Sequence, residues 1–524
     1  MENERSFNFV MLCRIRAYVF GKKIDSNGYL RIPLKRKIVI IFFLLLSYGQ
    51  IAASEVIGGA ISLNQTLEEP IALDGTWKFF WKQHIDPKAN AKAYSGGENL
   101  NFLTDWRHLP QKRLDRHGFG YASYLLEINS QTKRNDLAVF IPHFYNNYRL
   151  YLNGELIAQN GEPALQEQKS EPFWSNTVKP IALNKGENTL VIHASNFQHH
   201  RGGASAPLKI GGYAELQSEN TLSNSLLLIV AGAFLISAIF ALTLFNFQRK
   251  EYSFLFFGLF AVFYTYRVLS ANSHLLQEFF PDFNWYVSVR LEYISFYLSA
   301  ICFTYFYRFL IEPRVPHWLY HTVAGVSGVL LLSTMFSAQV FTSVLDYYQA
   351  FLALSFFIIG LFHVVRLRFR NPMAVLTTIS VLTLVGTMAY KAAVYYNWTE
   401  FNPWITFAGY MLFIGSQAIS LGQRLGFNLR RETNRTKEAK QSQRHFLNSV
   451  SHELRTPMNA ILGMTDWLSK SDLTDEQKEK LKTIQNNGTQ LNTLLLDLLN
   501  FSALDSGSMK LDKKKFNLSK VVGE

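Results

Sequence analysis

The sequence predicts a multi-domain membrane protein in which an all-β domain, seven transmembrane helices and a helical hairpin follow one another. Three patterns predict it. Residues 55–219 alternate short apolar runs with Gly, Asn and Pro, residues 222–423 contain seven long apolar segments, and residues 446–505 repeat apolar residues every three or four positions. The composition agrees, since 48% of the 524 residues are hydrophobic and 15% are aromatic.

Residues 1–53 have the pattern of a signal peptide. Lys35, Arg36 and Lys37 precede an apolar run at 38–46, and small residues end at 52–54 with Ala-Ala-Ser. The apolar run is too short to span a bilayer comfortably, although an uncleaved anchor is the alternative because the basic region is long. Either form predicts that the following domain is exported.

The exported region, 55–219, is predicted to be an antiparallel sandwich. Its strand-like runs are 75–79, 121–126, 137–141, 148–152 and 189–194. Asn153 and Gly154 form the clearest hairpin turn, because this pair accepts the positive φ angles of a tight turn.

Charge and cysteine content exclude several classes of protein. The net charge is +13, but the basic residues cluster in the N-terminal region and beside apolar segments, where they set membrane topology. No nucleic-acid partner is therefore predicted. Cys13 and Cys302 are the two cysteines, one before the signal-like run and one within an apolar segment, so neither a disulfide framework nor a metal cluster is expected.

The seven apolar segments each approach the length needed to cross a bilayer. They are 222–246, 252–270, 286–310, 319–336, 345–367, 374–396 and 403–423. Lys and Arg occur in alternate loops, whereas the loops around 271–284, 337–344 and 397–402 have none. The positive-inside rule then places the sandwich outside and the hairpin in the cytoplasm.

Four charged residues fall inside these segments. Arg267, Arg290, Glu292 and Lys391 lie toward the outer ends, where long side chains are expected to snorkel. A transporter with a regulatory tail is the alternative for a seven-helix region, but there is no obvious pair of Gly- or Pro-broken helices of the kind that transporters use. The order of the domains favours a receptor.

A signalling helix, 424–445, is predicted to connect the membrane region to the hairpin. Its apolar seam is thin, which is a weak coiled-coil pattern. A marginal coil can change register when membrane helices move.

The hairpin presents a candidate nucleophile. Phe446, Val450 and Leu454 form one apolar stripe, so His452 lies off that stripe and faces solvent. An imidazole can attack a phosphoryl group if a neighbour takes the other ring proton, and Glu453 is adjacent. Pro457 removes a backbone donor and should bend the helix.

The second helix of the hairpin is predicted to begin at a capping box formed by Thr474 and Gln477. Its apolar stripe consists of Leu481, Ile484, Leu491, Leu494, Leu498 and Phe501. Two helices cannot bury both stripes alone, so a homodimeric four-helix bundle is expected.

Residues 446–463, FLNSVSHELRTPMNAILG, resemble the phosphoacceptor box of bacterial sensor histidine kinases. The resemblance implies that His452 is phosphorylated, that Glu453 is the general base, and that Thr456 positions water for phosphatase action. It also implies ATP and Mg2+ for the full-length kinase, a response-regulator receiver domain as partner, and a bacterial inner-membrane location. Phosphorylation of His452 in trans by another protein is the alternative.

Residues 506–524 resemble the start of the linker to a kinase ATP-binding domain. Neither the nucleotide-binding boxes of that family nor a P-loop pattern occurs in the sequence. The sequence is therefore interpreted as a fragment that binds no ATP.

The exported region resembles the extracytoplasmic jelly roll of seven-helix bacterial receptors with diverse intracellular signalling modules. Trp106, the Leu109-Pro110 pair, the Tyr-Leu-Asn-Gly turn and 195–197 carry this resemblance. It implies a non-catalytic binding domain, with carbohydrate as one ligand class. The candidate contacts are Trp77, Trp81, Trp106, His117, Trp174, His199 and His200, for which a core role is the stronger expectation.

Overall fold

The computed structural model describes residues 56–63, 67, 69–89, 94, 96–109, 118–271, 274–310, 316–366, 372–472 and 474–505. The predicted signal peptide or anchor, His117 and the predicted linker at 506–524 lie outside the described residues. The chain divides into two compact units, one up to Ser420 and one from Leu421 onward. The β region and the apolar helices belong to the first unit, and the hairpin belongs to the second.

The described part of the exported region contains strands in two sheets. They are β1 (Ala60–Leu63), β2 (Ile71–Ala72), β3 (Thr76–Trp81), β4 (Glu98–Asn101), β5 (Gly120–Ser130), β6 (Arg134–Ile141), β7 (Asn147–Leu152), β8 (Glu155–Asn160), β9 (Thr177–Leu183), β10 (Gly186–Asn196) and β11 (Lys209–Gly212). One sheet has the order β4-β3-β5-β10-β7-β8, with β1 also paired to β5, and the other has the order β2-β11-β6-β9. The β1–β5 pair is parallel, and the other pairs of these strands are antiparallel.

The two sheets share one hydrophobic core. Trp77 and Leu126 of the first sheet are buried in the same cluster as Val139 and Ile210 of the second. Leu125 packs in a separate cluster on the opposite face of its sheet, because consecutive residues of a strand point to opposite faces. The predicted sandwich is confirmed as a two-sheet arrangement, while the jelly-roll assignment stays a prediction.

The Asn-Gly hairpin is also confirmed. Asn153 and Gly154 have φ angles of 51° and 87° and join β7 to β8. Two successive positive φ angles define the turn whose twist matches that of the paired strands. The runs predicted from the sequence did not include β1, β2, β4, β8, β9 or β11. Four of these strands, β1, β2, β4 and β11, have at most four residues, and so few residues carry little periodic pattern.

The helices of the chain follow the last strand directly. They are α1 (Tyr213–Phe247), α2 (Tyr252–Ser270), α3 (Leu275–Phe279), α4 (Trp285–Leu310), α5 (His317–Ser333), α6 (Ala338–Ser343), α7 (Leu345–Arg366), α8 (Pro372–Tyr395), α9 (Pro403–Ser469) and α10 (Asp475–Asp505). Helix α1 begins before the predicted domain boundary at 219–222, since β11 ends at Gly212. Short helices α3 and α6 occupy two segments that were expected to be loops.

Each predicted apolar segment coincides with a helix, but the count of seven membrane crossings stays a prediction. Within the described residues, four helices are long and apolar enough to cross a membrane: Tyr213–Phe247, Tyr252–Ser270, Leu376–Tyr395 and Pro403–Ser469. Helix α5 has 17 residues, which at 1.5 Å per residue is about 26 Å, slightly less than a bilayer core of about 30 Å. Helix α4 carries Arg290 and Glu292 among its aromatic residues.

Candidate functional site

His452, Glu453 and Thr456 lie on α9 with solvent-exposed side chains, as the sequence predicted. His452 and Thr456 are one helical turn apart and therefore share a face. The Thr456 hydroxyl donates to the backbone carbonyl of His452 at 3.3 Å. Among the described residues, the side chains of His452 and Glu453 have no hydrogen-bonding partner, so both are available to another molecule.

Pro457 lies inside α9, which continues to Ser469. Proline has no N–H, so the carbonyl of Glu453, four residues earlier, loses its usual helical donor. The helix is thus locally weaker beside His452. The bend expected there stays a prediction.

The two helices of the hairpin approach closely at Gly488. A Cβ atom at this position would lie 2.9 Å from Leu462 Cδ2 and 3.3 Å from Met458 Cε. A side chain at position 488 would therefore meet α9. Helix α10 begins at the predicted capping box: the Thr474 N–H donates to Gln477 Oε1 at 3.0 Å, and the Gln477 N–H donates to Thr474 Oγ1 at 3.4 Å.

A broad apolar surface is exposed on the single hairpin. Its large side chains include Phe446, Leu454, Ile461, Met464, Trp467, Ile484, Leu491, Leu494, Leu498 and Phe501. Several of them form the stripes predicted from the sequence. A soluble monomer seldom exposes so many clustered apolar side chains, which usually mark an interaction surface.

The first unit contains an ion network that the sequence did not indicate. Asp105 of the sandwich pairs with Arg107 at 2.7 Å and with Arg201 at 2.9 Å. Arg107 also pairs with Asp346 of α7 at 3.0 Å. Arg201 donates to the backbone carbonyl of Tyr395 in α8 at 3.0 Å. The network thus ties the sandwich to two helices.

Electrostatics favour the charged form of Asp105. Burial alone would raise the pKa of its carboxyl group, but the hydrogen bonds and charge of Arg107, with the charge of Arg201, outweigh burial and hold that pKa below its usual value. Arg107 and Asp346, which pair directly, are 239 positions apart in the chain. No local sequence pattern could have paired them.

The predicted ligand contacts of the sandwich fall into two groups. Trp77 and Trp106 are fully buried in the core, and Trp81 packs against Trp106 at 5.2 Å between ring centroids. Trp174 and His199 instead line a cavity beside the helices. His199 and His200 lie just after β10, which ends at Asn196.

The charged residues of the apolar segments do not simply extend to the outer surface. Arg267 of α2 and Glu292 of α4 form an ion pair at 2.5 Å. The Arg290 guanidinium donates to the backbone carbonyl of Thr334 at 3.3 Å. The expectation of snorkelling is corrected for Arg267 and Glu292, because each satisfies the charge of the other within the protein.

Comparison with known families agrees with both parts of the site. Residues 442–507 match the His Kinase A (phospho-acceptor) domain, and residues 223–424 match the family described as 7TM diverse intracellular signalling. Together they define a membrane signalling protein with a phospho-acceptor hairpin. The chain thus contains a phospho-acceptor domain and a 7TM diverse intracellular signalling region, a combination that is consistent with histidine kinases of the 7TM type.

Curated relatives match over the hairpin region. Sensory/regulatory protein RpfC of Xanthomonas campestris pv. campestris is 38% identical over 93 residues, 18% of this chain and 13% of its own length. Sensor protein GacS of Pseudomonas syringae pv. syringae is 42% identical over 85 residues, 16% of this chain and 9% of its own. The histidine kinase BarA of Escherichia coli K12 is 37% identical over 90 residues, 17% of this chain and 10% of its own. The matches therefore span about a tenth of these relatives.

Among solved structures, the chain is similar to two beta-glucuronidases. The Faecalibacterium prausnitzii enzyme is 13% identical, with 28% of this chain and 32% of that chain covered and a TM-score of 0.22. An enzyme from an uncultured Clostridium sp. is 13% identical, with coverages of 29% and 30% and a TM-score of 0.22.

Proposed function

We propose that this chain is the sensing and phosphoacceptor part of a membrane histidine kinase in a two-component phosphorelay. It detects a ligand outside the bacterial inner membrane, and His452 carries a phosphoryl group to an aspartate of a response regulator. The observation that carries the proposal is the exposed, unpartnered imidazole of His452 within the His Kinase A region.

The chemistry at His452 follows from its neighbours. One ring nitrogen attacks the phosphorus, an N–P bond forms, and the P–O bond to the leaving nucleotide breaks with its electron pair on oxygen. Glu453 takes the proton from the other ring nitrogen as general base. In the reverse direction, Thr456 orients water: its proton is donated to the His452 carbonyl, which leaves its oxygen lone pairs to accept from that water.

The family implies ATP as the phosphoryl source and Mg2+ as its counter-ion. In the part of the chain that the structure describes, no group of three or more His, Cys, Asp and Glu side chains is arranged to hold a metal ion. No residue of this chain is therefore assigned to either, and both are attributed to a kinase ATP-binding domain.

The exposed apolar stripes support a homodimer. Phe446 and Phe501 are 66% and 70% exposed on the single chain, and a twofold partner would cover both stripes in a four-helix bundle. The hairpin is placed in the cytoplasm and the sandwich outside by the distribution of Lys and Arg. The Asp105 network supports a signal path, because it holds the sandwich on α7 and α8.

The phosphoacceptor is tested with a kinase ATP-binding domain supplied to the chain and labelled ATP. The wild-type chain should gain acid-labile phosphate, and the His452→Gln variant should gain none. His445→Gln is the matched control, because His445 is another exposed histidine of the same helix. Undiminished labelling of His452→Gln would reject the assignment, and labelling that requires a separate kinase would favour phosphorylation in trans.

The two accessory roles are tested separately. Thr456→Ala should lower phosphatase activity on the phosphorylated response regulator while autophosphorylation continues, and Thr456→Ser should restore it because the hydroxyl returns. Glu453→Gln should lower autophosphorylation. Equal loss of both activities in Thr456→Ala would contradict this division.

A further inference from the structure

A cavity of about 860 Å3 lies between the sandwich and the apolar helices of the first unit. Trp174 of the sandwich and Tyr293, Phe296, Trp398 and Trp404 of the helical region contribute to its wall. This volume and a wall that is mainly apolar, with several aromatic side chains, suit a small organic molecule. Neither family match assigns a ligand to this place.

The cavity wall includes a cation that has no partner among the described residues. Lys391 lines it beside Arg267 and Glu292, and it interacts electrostatically with both. Arg267 is already paired with Glu292 at 2.5 Å. Within the described ranges, the Lys391 ammonium makes neither a hydrogen bond nor an ion pair. An unpaired lysine in an apolar helix is costly, which favours a functional role.

A buried histidine provides an independent observation. His274 is 4% exposed and lines the same cavity, yet neither ring nitrogen has a hydrogen-bonding partner among the residues that the structure describes. Its backbone is in the left-handed region with φ 48°, where a non-glycine residue is uncommon. The centre of its imidazole ring lies 4.7 Å from the ring centre of Trp174 and 4.3 Å from that of His143. Buried ring nitrogens without partners require a ligand or water.

We propose that this cavity is the sensory site and binds an organic monocarboxylate with an apolar or aromatic body. Lys391 is the counter-ion of the carboxylate, His274 supplies a hydrogen bond, and the aromatic wall covers the body. Arg267, Lys391 and Glu292 together leave one excess positive charge, which matches a single negative charge. The inference rests on the proposed function, because it names the ligand that the receptor detects.

The remaining charges of the wall exclude a polyanion. Lys209 is 3.5 Å from Glu219 and is thus offset by it. Asp74 and Glu400 add two further carboxylates to the wall. Lys209 and Arg267 are both offset by carboxylates, so the wall offers no further cation to a second or third anionic group, whereas a molecule with one carboxylate needs only Lys391.

The carboxylate has two sources, a water-soluble acid and a fatty acid from the bilayer. The full chain is reconstituted in lipid nanodiscs, and its thermal unfolding is followed by tryptophan fluorescence. Benzoate and indole-3-acetate probe the first source, and octanoate and dodecanoate probe the second. Benzamide, indole-3-acetamide and octanamide are the uncharged controls, and citrate is the polyanion. At about 10 mM, either the water-soluble acids or the fatty acids should raise the midpoint of thermal unfolding, because a ligand that binds only the folded state stabilises that state.

Lys391→Met should weaken the apparent affinity for the stabilising acid roughly ten- to hundredfold, the cost of a lost charge-assisted hydrogen bond. Lys185→Met is the matched control, since Lys185 is an exposed lysine of the sandwich, and it should bind like the wild type. If Lys391→Met does not form a monodisperse particle, His274→Phe replaces it. That variant keeps a ring beside Trp174 and removes both ring nitrogens.

No stabilisation by any acid would overturn the inference, as would equal stabilisation by acids and amides or an unchanged affinity in both Lys391→Met and His274→Phe. His452→Gln should bind as the wild type does. Carboxylate binding by a chain whose His452 is never phosphorylated would reject the proposed kinase function and leave the site intact. Phosphorylation without carboxylate binding would reject the site alone.

Discussion

Arg201 offers the sharpest test of how the sandwich is held on the helices. Its side chain is 8% exposed. The guanidinium donates to Asp105 at 2.9 Å, to the Tyr145 hydroxyl at 3.0 Å and to the Tyr395 carbonyl at 3.0 Å, and it lies 4.2 Å from the centre of the Tyr395 ring. Arg201→Met keeps most of the volume and removes every one of these polar contacts.

The loss of stability expected for Arg201→Met follows from the burial of its ion pair with Asp105. Removing one partner of a buried ion pair costs about 3 to 5 kcal/mol, mainly because the remaining charge stays buried. Here Asp105 keeps Arg107 at 2.7 Å, so the lower end, about 3 kcal/mol, is expected. For a domain of this size, that corresponds to a fall of roughly 6 to 12 °C in the unfolding midpoint.

The assay is thermal unfolding of the full chain in detergent micelles, followed by tryptophan fluorescence. Arg134→Met is the control, because Arg134 pairs at 2.7 Å with Asp136, whose side chain is 64% exposed, and such surface pairs contribute at most about 1 kcal/mol. Arg201→Lys should lower the unfolding midpoint by an intermediate amount, since an ammonium group cannot reproduce the planar set of donors of a guanidinium. Equal shifts for Arg201→Met and Arg134→Met would refute the reasoning.

Three further predictions concern the hairpin and the cavity. Thr474→Ala should destabilise the start of α10 by about 1 kcal/mol, seen as faster amide exchange there than in Thr474→Ser. A Cβ at Gly463 would meet nothing within 4 Å, so Gly463→Ala should raise the unfolding midpoint of the hairpin through helix propensity worth about 1 kcal/mol. Gly488→Ala should raise the midpoint less, because its Cβ would lie 2.9 Å from Leu462. Equal increases in the two variants would argue against the close approach of the helices at Gly488. Burial lowers the pKa of His143 from 6.5 to about 4, so between these pH values the unfolded chain binds a proton that the folded chain does not. Stability should therefore fall as the pH is lowered through this window, and a His143→Gln variant that kept the full pH dependence would contradict this.

Local patterns were sufficient for much of the hairpin and the sandwich. The capping box at Thr474 and the Asn153-Gly154 turn depend on residues at most three positions apart, and the structure confirms both. The exposure of His452 follows from helical periodicity in the same way. The sequence also indicated that the apolar stripes needed a second chain, which agrees with their exposure on one hairpin.

Other features of the structure could not be predicted from local sequence patterns. Three features depend on a neighbour from another element. They are the short strands at the sheet edges, the close approach of the hairpin helices at Gly488, and the pairing of Arg267 with Glu292.

The apolar helices and the exposed position of His452 on its helix could be predicted from the sequence alone, because they depend on composition and on spacing within one segment. The contact of Arg201 with Tyr395 joins residues 194 positions apart. The cavity brings together His274 and Lys391. Only the packing of the sandwich against the helices decided these contacts, since the spacing of residues within a segment carries no information about which distant side chains will meet.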